Sequence, residues 1–123
     1  MGKKILICDD SLMIRTQLRD FINKLEGGYE VIEAADGNAA VEMFTANTPD
    51  LVFLDVVMPG RGGLECLRLM KEANAATPVV MLSSVGAKHV LKEALEAGAS
   101  DFVQKPWGEK LISSIIERFT GGA

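Results

Sequence analysis

Cysteine, histidine, basic surface and long apolar runs are all scarce in this chain. Its 123 residues hold two cysteines, one histidine, one tryptophan and one tyrosine. Cys8 lies in an apolar run and Cys66 in a helical pattern, so both read as core residues and not as a disulfide framework. No apolar stretch approaches the ~20 residues of a membrane span. The first apolar run, Ile5 to Cys8, is broken by Asp9 and is too short for a secretory leader. A cytoplasmic location without membrane insertion is therefore expected. Net charge is -4, and Lys3-Lys4 is the longest basic run, which speaks against direct binding of nucleic acid. The lone histidine, His89, reads as a solvated surface residue. At this length, with 48% hydrophobic and 24% charged residues, one domain over 1–123 is expected, with a core that needs no staples.

What is present is an alternation of strand and helix patterns. Strand one is Lys4 to Cys8. Helix one follows from about Leu12, capped by Ser11, with Ile14, Leu18, Phe21, Ile22 and Leu25 on one face and Gly27-Gly28 as its stop. Strand two, Tyr29 to Ala34, carries two acids, which suits a sheet edge. After the turn signal Asp36-Gly37 comes helix two, about Asn38 to Ala46. Strand three is Leu51 to Leu54, and a glycine-rich loop leads from it to helix three, about Leu64 to Ala73. Strand four is Val79 to Leu82. Helix four runs from about Ala87 to Ala97, strand five from Asp101 to Gln104, and helix five carries Leu111, Ile112, Ile115, Ile116 and Phe119 on one stripe. Strands one, three and four are nearly continuous apolar runs, the mark of burial on both faces in a parallel sheet. Right-handed crossovers leave few topologies. The predicted fold is α/β: a doubly wound, five-stranded parallel sheet of order 2-1-3-4-5 in a three-layer sandwich, with its switch point between strands one and three.

That order brings charged groups together. Asp9 and Asp10 end strand one, Asp55 ends strand three, Ser83 ends strand four and Lys105 ends strand five. In such sheets the carboxyl ends of the strands line the ligand crevice. Singly, each residue has an ordinary reading: an Asp after a strand is more often a turn or cap, and a Lys-Pro is usually a turn. Jointly they define a chemistry. Crowded carboxylates raise one another's pKa unless a cation joins them. A hard dication with oxygen preference, Mg²⁺ first and Mn²⁺ as a substitute, meets that need. Mg²⁺ typically takes one or two carboxylates plus phosphate oxygens, so the crevice suits a phosphoryl group. Asp55 is then the candidate nucleophile, with Lys105 as a compact point charge and Ser83 as a hydroxyl donor.

At these residues the chain resembles the receiver domain of two-component response regulators, over essentially all of Lys4 to Phe119. The matching elements are Asp9-Asp10-Ser11, Leu54-Asp55 followed by Met58-Pro59, Pro78 with Ser83, and Lys105-Pro106. The resemblance implies a flavodoxin-like fold and phosphorylation of Asp55 by a histidine kinase's phosphohistidine. It implies Mg²⁺ held by Asp10, Asp55 and the Val57 backbone carbonyl, with Asp9 acting directly or through water. It makes Lys105 the phosphoryl partner, Ser83 the switch hydroxyl, Phe102 the switch aromatic, and the Lys105-Pro106 bond cis. A target protein would dock on helix four, strand five and helix five, and a phosphatase partner would reset the switch. Single-domain, chemotaxis-type regulators fit this pattern. The segments Met81 to Ser84 and Ala94 to Val103 also look like the receiver of chemotaxis methylesterases, so a receiver cut from a longer protein stays open.

Several departures and rivals bear on this reading. The family often has Asp-Gly where this chain has Gly62-Gly63, which predicts a changed loop and intact chemistry. Val57 and Val85 stand where the family is often polar; apolar groups there cannot orient a water, so slow self-dephosphorylation is expected. Trp107, after Pro106, is expected to pack. A haloacid-dehalogenase-type phosphatase needs a second acid two residues after its nucleophile, and Val57 occupies that place. A flavodoxin needs amide-rich loops to cradle phosphate, where Asp9-Asp10 would repel it. A scaffold that is never phosphorylated would not need the acids with Lys105.

Overall fold

The computed structural model describes residues 2–84 and 87–121. β1 (Lys4–Cys8), β3 (Leu51–Asp55) and β4 (Val79–Ser83) form the centre of a five-stranded parallel sheet, with β2 (Glu30–Ala34) and β5 (Asp101–Gln104) at its edges. The order is β2-β1-β3-β4-β5. The helices are α1 (Leu12–Lys24), α2 (Gly37–Asn47), α3 (Gly63–Ala73), α4 (Leu91–Glu96) and α5 (Glu109–Thr120). Among the described residues no helix is long and apolar enough to cross a membrane.

Strand alternation sorts the sheet residues between two apolar layers. Ile5, Ile7, Leu51, Phe53, Val80, Leu82 and Val103 face α1 and α5 and pack with Leu18, Ile22, Ile112, Ile115 and Ile116. Leu6, Cys8, Val52, Leu54, Val79 and Met81 face the opposite layer, with Phe44 of α2, Cys66, Leu67 and Met70 of α3, and Ala94 of α4. Period-two alternation on a sheet covered on both sides makes every inner-strand position apolar. That is why these strands read as unbroken runs. Both cysteines are buried and free.

Local signals act where the sequence places them. Ser11 caps α1 by accepting the Ile14 N–H at 3.3 Å, and Asp36 caps α2 by accepting the Ala39 N–H at 2.8 Å. The one element that departs from expectation is helix four. A 3₁₀ turn, Ala87–Val90, precedes a short α4. Val90 leads into α4 without a side-chain cap, and an uncapped helix start commonly tightens into 3₁₀ geometry. His89 lies exposed on this turn.

Candidate functional site

The pairing register decides which side chains meet. Ile7 pairs with Phe53, so the residues two further along, Asp9 and Asp55, emerge side by side and on the α1/α5 side. Val103 is on that side too, and Lys105 follows it by two. Asp9, Asp55 and Lys105 thus share one parity, while Ser83 and Phe102 share the other, with Met81 paired to Phe102. Phe102 is half-buried and packs against the layer formed with α3 and α4. Ser83 is buried at the end of β4, and its carbonyl accepts the Lys105 N–H at 2.6 Å. The Lys105–Pro106 bond is cis.

Lys105 Nζ donates to Asp9 Oδ2 at 2.6 Å and lies 3.4 Å from Asp55 Oδ2. Asp9 is fully buried and Asp55 is 6% exposed, whereas Asp10 is open to solvent. One oxygen from each of Asp9, Asp10 and Asp55 falls within 4.8 Å of the others. A single lysine does not balance this set. Burial first, then the neighbouring Asp9 carboxylate, push the Asp55 carboxyl up to about 6, against the pull of Lys105 and the Val57 N–H. The donors are all hard oxygens, and repulsion among them is the residual strain that a small dication relieves. Asp9, Asp10 and Asp55 would hold such a cation, Mg²⁺ by their oxygen donors, and it would supply the positive charge that the set lacks.

The loop after Asp55 is shaped by the same contacts. The Val57 N–H reaches Asp55 Oδ1 at 3.5 Å, while the Val57 side chain is 69% exposed. The Gly63 N–H donates to the Val56 carbonyl at 2.9 Å. A Cβ on Gly63 would stand 2.0 Å from the Asp55 carbonyl oxygen, so α3 starts closer to the acidic residue than any side chain allows. Arg61 bonds Asn38 at 3.1 Å and Glu65 at 2.8 Å, tying this loop to the start of α2. Of the Gly62-Gly63 pair, Gly63 is demanded by this close approach, whereas a Cβ on Gly62 would meet nothing within 4 Å.

Asp9, Asp10, Asp55, Val57, Ser83 and Lys105 lie at the carboxyl edge of the sheet, whereas Phe102 sits within β5, paired with Met81. Val85 lies outside the described residues. Trp107 is half-buried and packs with the α1/α5 layer. Sequence reasoning missed Arg15 and Glu33. Arg15 donates to the Asp9 carbonyl at 2.7 Å and to Glu33 at 3.1 Å. The signal was there: Glu33 occupies the β2 position opposite Ile7, which faces α1 and asks for a partner.

Comparison with known proteins identifies relatives of the whole chain. The sequence profile of the response regulator receiver domain matches residues 5–117. Chemotaxis protein CheY of Halobacterium salinarum is 38% identical over 94% of this chain and 95% of its own length. The protein-glutamate methylesterase/protein-glutamine glutaminase of Archaeoglobus fulgidus is 44% identical over 93% of this chain and 33% of its own. A crystal structure of NtrX from Brucella abortus superimposes with a TM-score of 0.89 at 32% identity, covering 98% of this chain. This chain spans about a quarter of that one, 27%.

Proposed function

The chain belongs to the response regulator receiver family, and on that premise we propose that Asp55 is its phosphoacceptor. Receiver domains of two-component systems are signalling switches and not classical enzymes. The observation that carries the assignment is the meeting of Asp9, Asp10 and Asp55 within 4.8 Å, with Lys105 between two of them. We read residues 1–123 as one receiver unit.

Asp9, Asp10 and Asp55 hold Mg²⁺, for which Mn²⁺ substitutes. The Val57 carbonyl completes the protein's share, since no N–H among the described residues donates to it. When bound, the cation neutralises charge on the phosphoryl oxygens. The phosphodonor is a histidine kinase's phosphohistidine. An ionised Asp55 oxygen attacks phosphorus, the P–N bond breaks, and the imidazole leaves with the electron pair. Lys105, which lies between Asp9 and Asp55, holds the phosphoryl oxygens. The catalytic set is Asp55, Lys105 and Ser83.

Ser83 and Phe102, on one parity, form the switch. The Ser83 hydroxyl donates to a phosphoryl oxygen by moving towards Asp55, and Phe102 turns inward behind it. Burying a phenylalanine contributes roughly 1.5–3 kcal/mol. Reversing a 1:99 equilibrium takes about 5.5 kcal/mol, so hydrogen bonds to the phosphoryl group supply the rest. The surface that changes is α4, β5 and α5, where Leu95 and Leu111 stand exposed, and a target protein docks there. The exposed Val57 side chain orients no water, so self-dephosphorylation is slow and a phosphatase partner resets the switch.

The chain's kinship with CheY supports a chemotaxis-type regulator. The 44% identity to the methylesterase receiver supports a second placement, as the receiver of a longer regulator. The intact mass of the native protein in its source cell separates the two. The central test is incubation with Mg²⁺ and a small acyl phosphate, read by intact mass. One phosphoryl mass on the wild type and none on Asp55→Asn is expected. Equal labelling of both overturns the assignment.

A further inference from the structure

Asp9 is bonded at each of its polar atoms. Its N–H donates to the Ala34 carbonyl at 3.1 Å. Its Oδ1 accepts the Ser11 N–H at 2.9 Å, and its Oδ2 accepts Lys105 at 2.6 Å. The remaining atom, the carbonyl oxygen, accepts Arg15 Nη1 at 2.7 Å. Neither helix nor sheet requires that last bond.

Arg15 lies one turn into α1, with its N–H on the carbonyl of the N-cap Ser11. Its Nε donates to one Glu33 oxygen at 3.1 Å, while Arg19 Nη1 donates to the other at 3.0 Å. The Arg15 and Glu33 side chains are only 14% and 23% exposed, so the pair carries a desolvation cost that exposed pairs escape. A planar guanidinium serves two acceptors at a fixed angle, which an ammonium cannot. Here the two acceptors are a strand β2 carboxylate and the backbone of the acidic loop.

The Asp9 carbonyl belongs to the peptide that carries the Asp10 nitrogen. A peptide unit is planar and has no internal freedom, so fixing its plane fixes the direction in which Asp10 leaves the sheet. Asp10 is exposed and makes no side-chain hydrogen bond or ion pair among the described residues. Its place beside Asp9 and Asp55 therefore rests on the backbone alone.

We propose that Arg15, held by Glu33, is a positioning residue for the cation site: it clamps the Asp9–Asp10 peptide so that the Asp10 carboxylate is presented to the metal. This rests on reading the acidic cluster as a Mg²⁺ site. The charges of Arg15 and Glu33 offset each other, so the effect is on geometry. Arg15 touches neither metal nor phosphoryl group.

Isothermal titration of Mg²⁺ into the metal-free full chain tests it, alongside the Mg²⁺ dependence of acyl-phosphate labelling. Arg15→Ala weakens Mg²⁺ binding roughly tenfold, the scale of losing an outer-shell partner of a ligand. The labelling rate at saturating Mg²⁺ stays near wild type while the half-saturating Mg²⁺ rises. Arg19→Ala, which removes the other Glu33 partner but no bond to the loop, leaves Mg²⁺ affinity unchanged. Wild-type affinity in Arg15→Ala, or equal weakening in Arg19→Ala, overturns the proposal. Should Arg15→Ala fail to fold, Arg15→Lys decides: it keeps the charge but loses the planar fork that spans Glu33 and the Asp9 carbonyl, so weaker binding is expected and unchanged binding overturns the proposal. A wild-type chain that binds no Mg²⁺ sinks the cation site itself, a result distinct from normal binding in the variants.

Discussion

Replacing Asp55 by asparagine should make the metal-free protein more stable. Asparagine keeps the shape and an oxygen that can accept from Lys105, but removes one buried negative charge beside Asp9. The Asp55 carboxyl is raised from 3.8 to about 6 in the fold. The unfolded chain therefore gives up this proton at lower pH than the folded one. Between those values the folded state binds more protons, so stability falls as pH rises from near 4 to near 6, then levels off. The full gap corresponds to about 3 kcal/mol at neutral pH. Water reaches the crevice from the Asp10 side, and screening reduces this to roughly 1–2 kcal/mol. For a domain of this size that is a rise in Tm of about 3–10 °C. Thermal unfolding followed by circular dichroism, in chelator from pH 4 to 8, measures it. Wild type and Asp55→Asn should unfold together at pH 4 and separate towards pH 7. Adding Mg²⁺ should narrow or reverse the difference, because the wild type gains RT ln(1 + [Mg²⁺]/Kd), about 2.7 kcal/mol at a hundred times Kd. A variant no more stable than wild type at pH 7.5, or a gap that ignores pH, refutes the electrostatic account of the site.

Other substitutions read other parts of the argument. Lys105→Ala leaves the fully buried Asp9 without its cation and should cost roughly 2–4 kcal/mol in chelator by denaturant titration, less when Mg²⁺ is present. Gly63→Ala drives a Cβ into the Asp55 carbonyl and should cost about 1–3 kcal/mol while slowing acyl-phosphate labelling; wild-type behaviour in both assays contradicts the close approach. Ser11→Ala removes the α1 cap and should cost about 1 kcal/mol with labelling retained. Phosphorylated wild type, freed of donor in Mg²⁺, should lose its label more slowly than Val57→Asn, whose side chain can hold a water; equal or faster loss from wild type dismisses the role given to Val57.

Much of this was legible before any coordinates. The apolar runs at β1, β3 and β4 demand burial on both faces, and that demand with right-handed crossovers leaves few strand orders, among them the one observed. The acids and the lysine then fall at strand ends, where parallel sheets build their crevices. What was less legible involved partners distant in sequence. Glu33 reads as an edge-strand acid until α1 is laid over β2 and brings Arg15 and Arg19 to it. Gly63 reads as loop punctuation until α3 is seen to start against the Asp55 carbonyl. The start of helix four carries periodicity but no cap, and periodicity alone does not tell a 3₁₀ turn from an α-helical one.

By itself, then, the amino-acid order determined the alternation of strand and helix and the residues available for phosphoryl chemistry, and narrowed the sheet order to a few, because hydrophobic period and strand-end position are local properties. Only the tertiary structure decided how far apart the charged groups stand, which of them is buried, and that the Asp55 carboxyl is raised while Asp10 stays in water. Those are consequences of distance and desolvation, which exist only once β1, β3 and β5 lie side by side and the helices have closed over them.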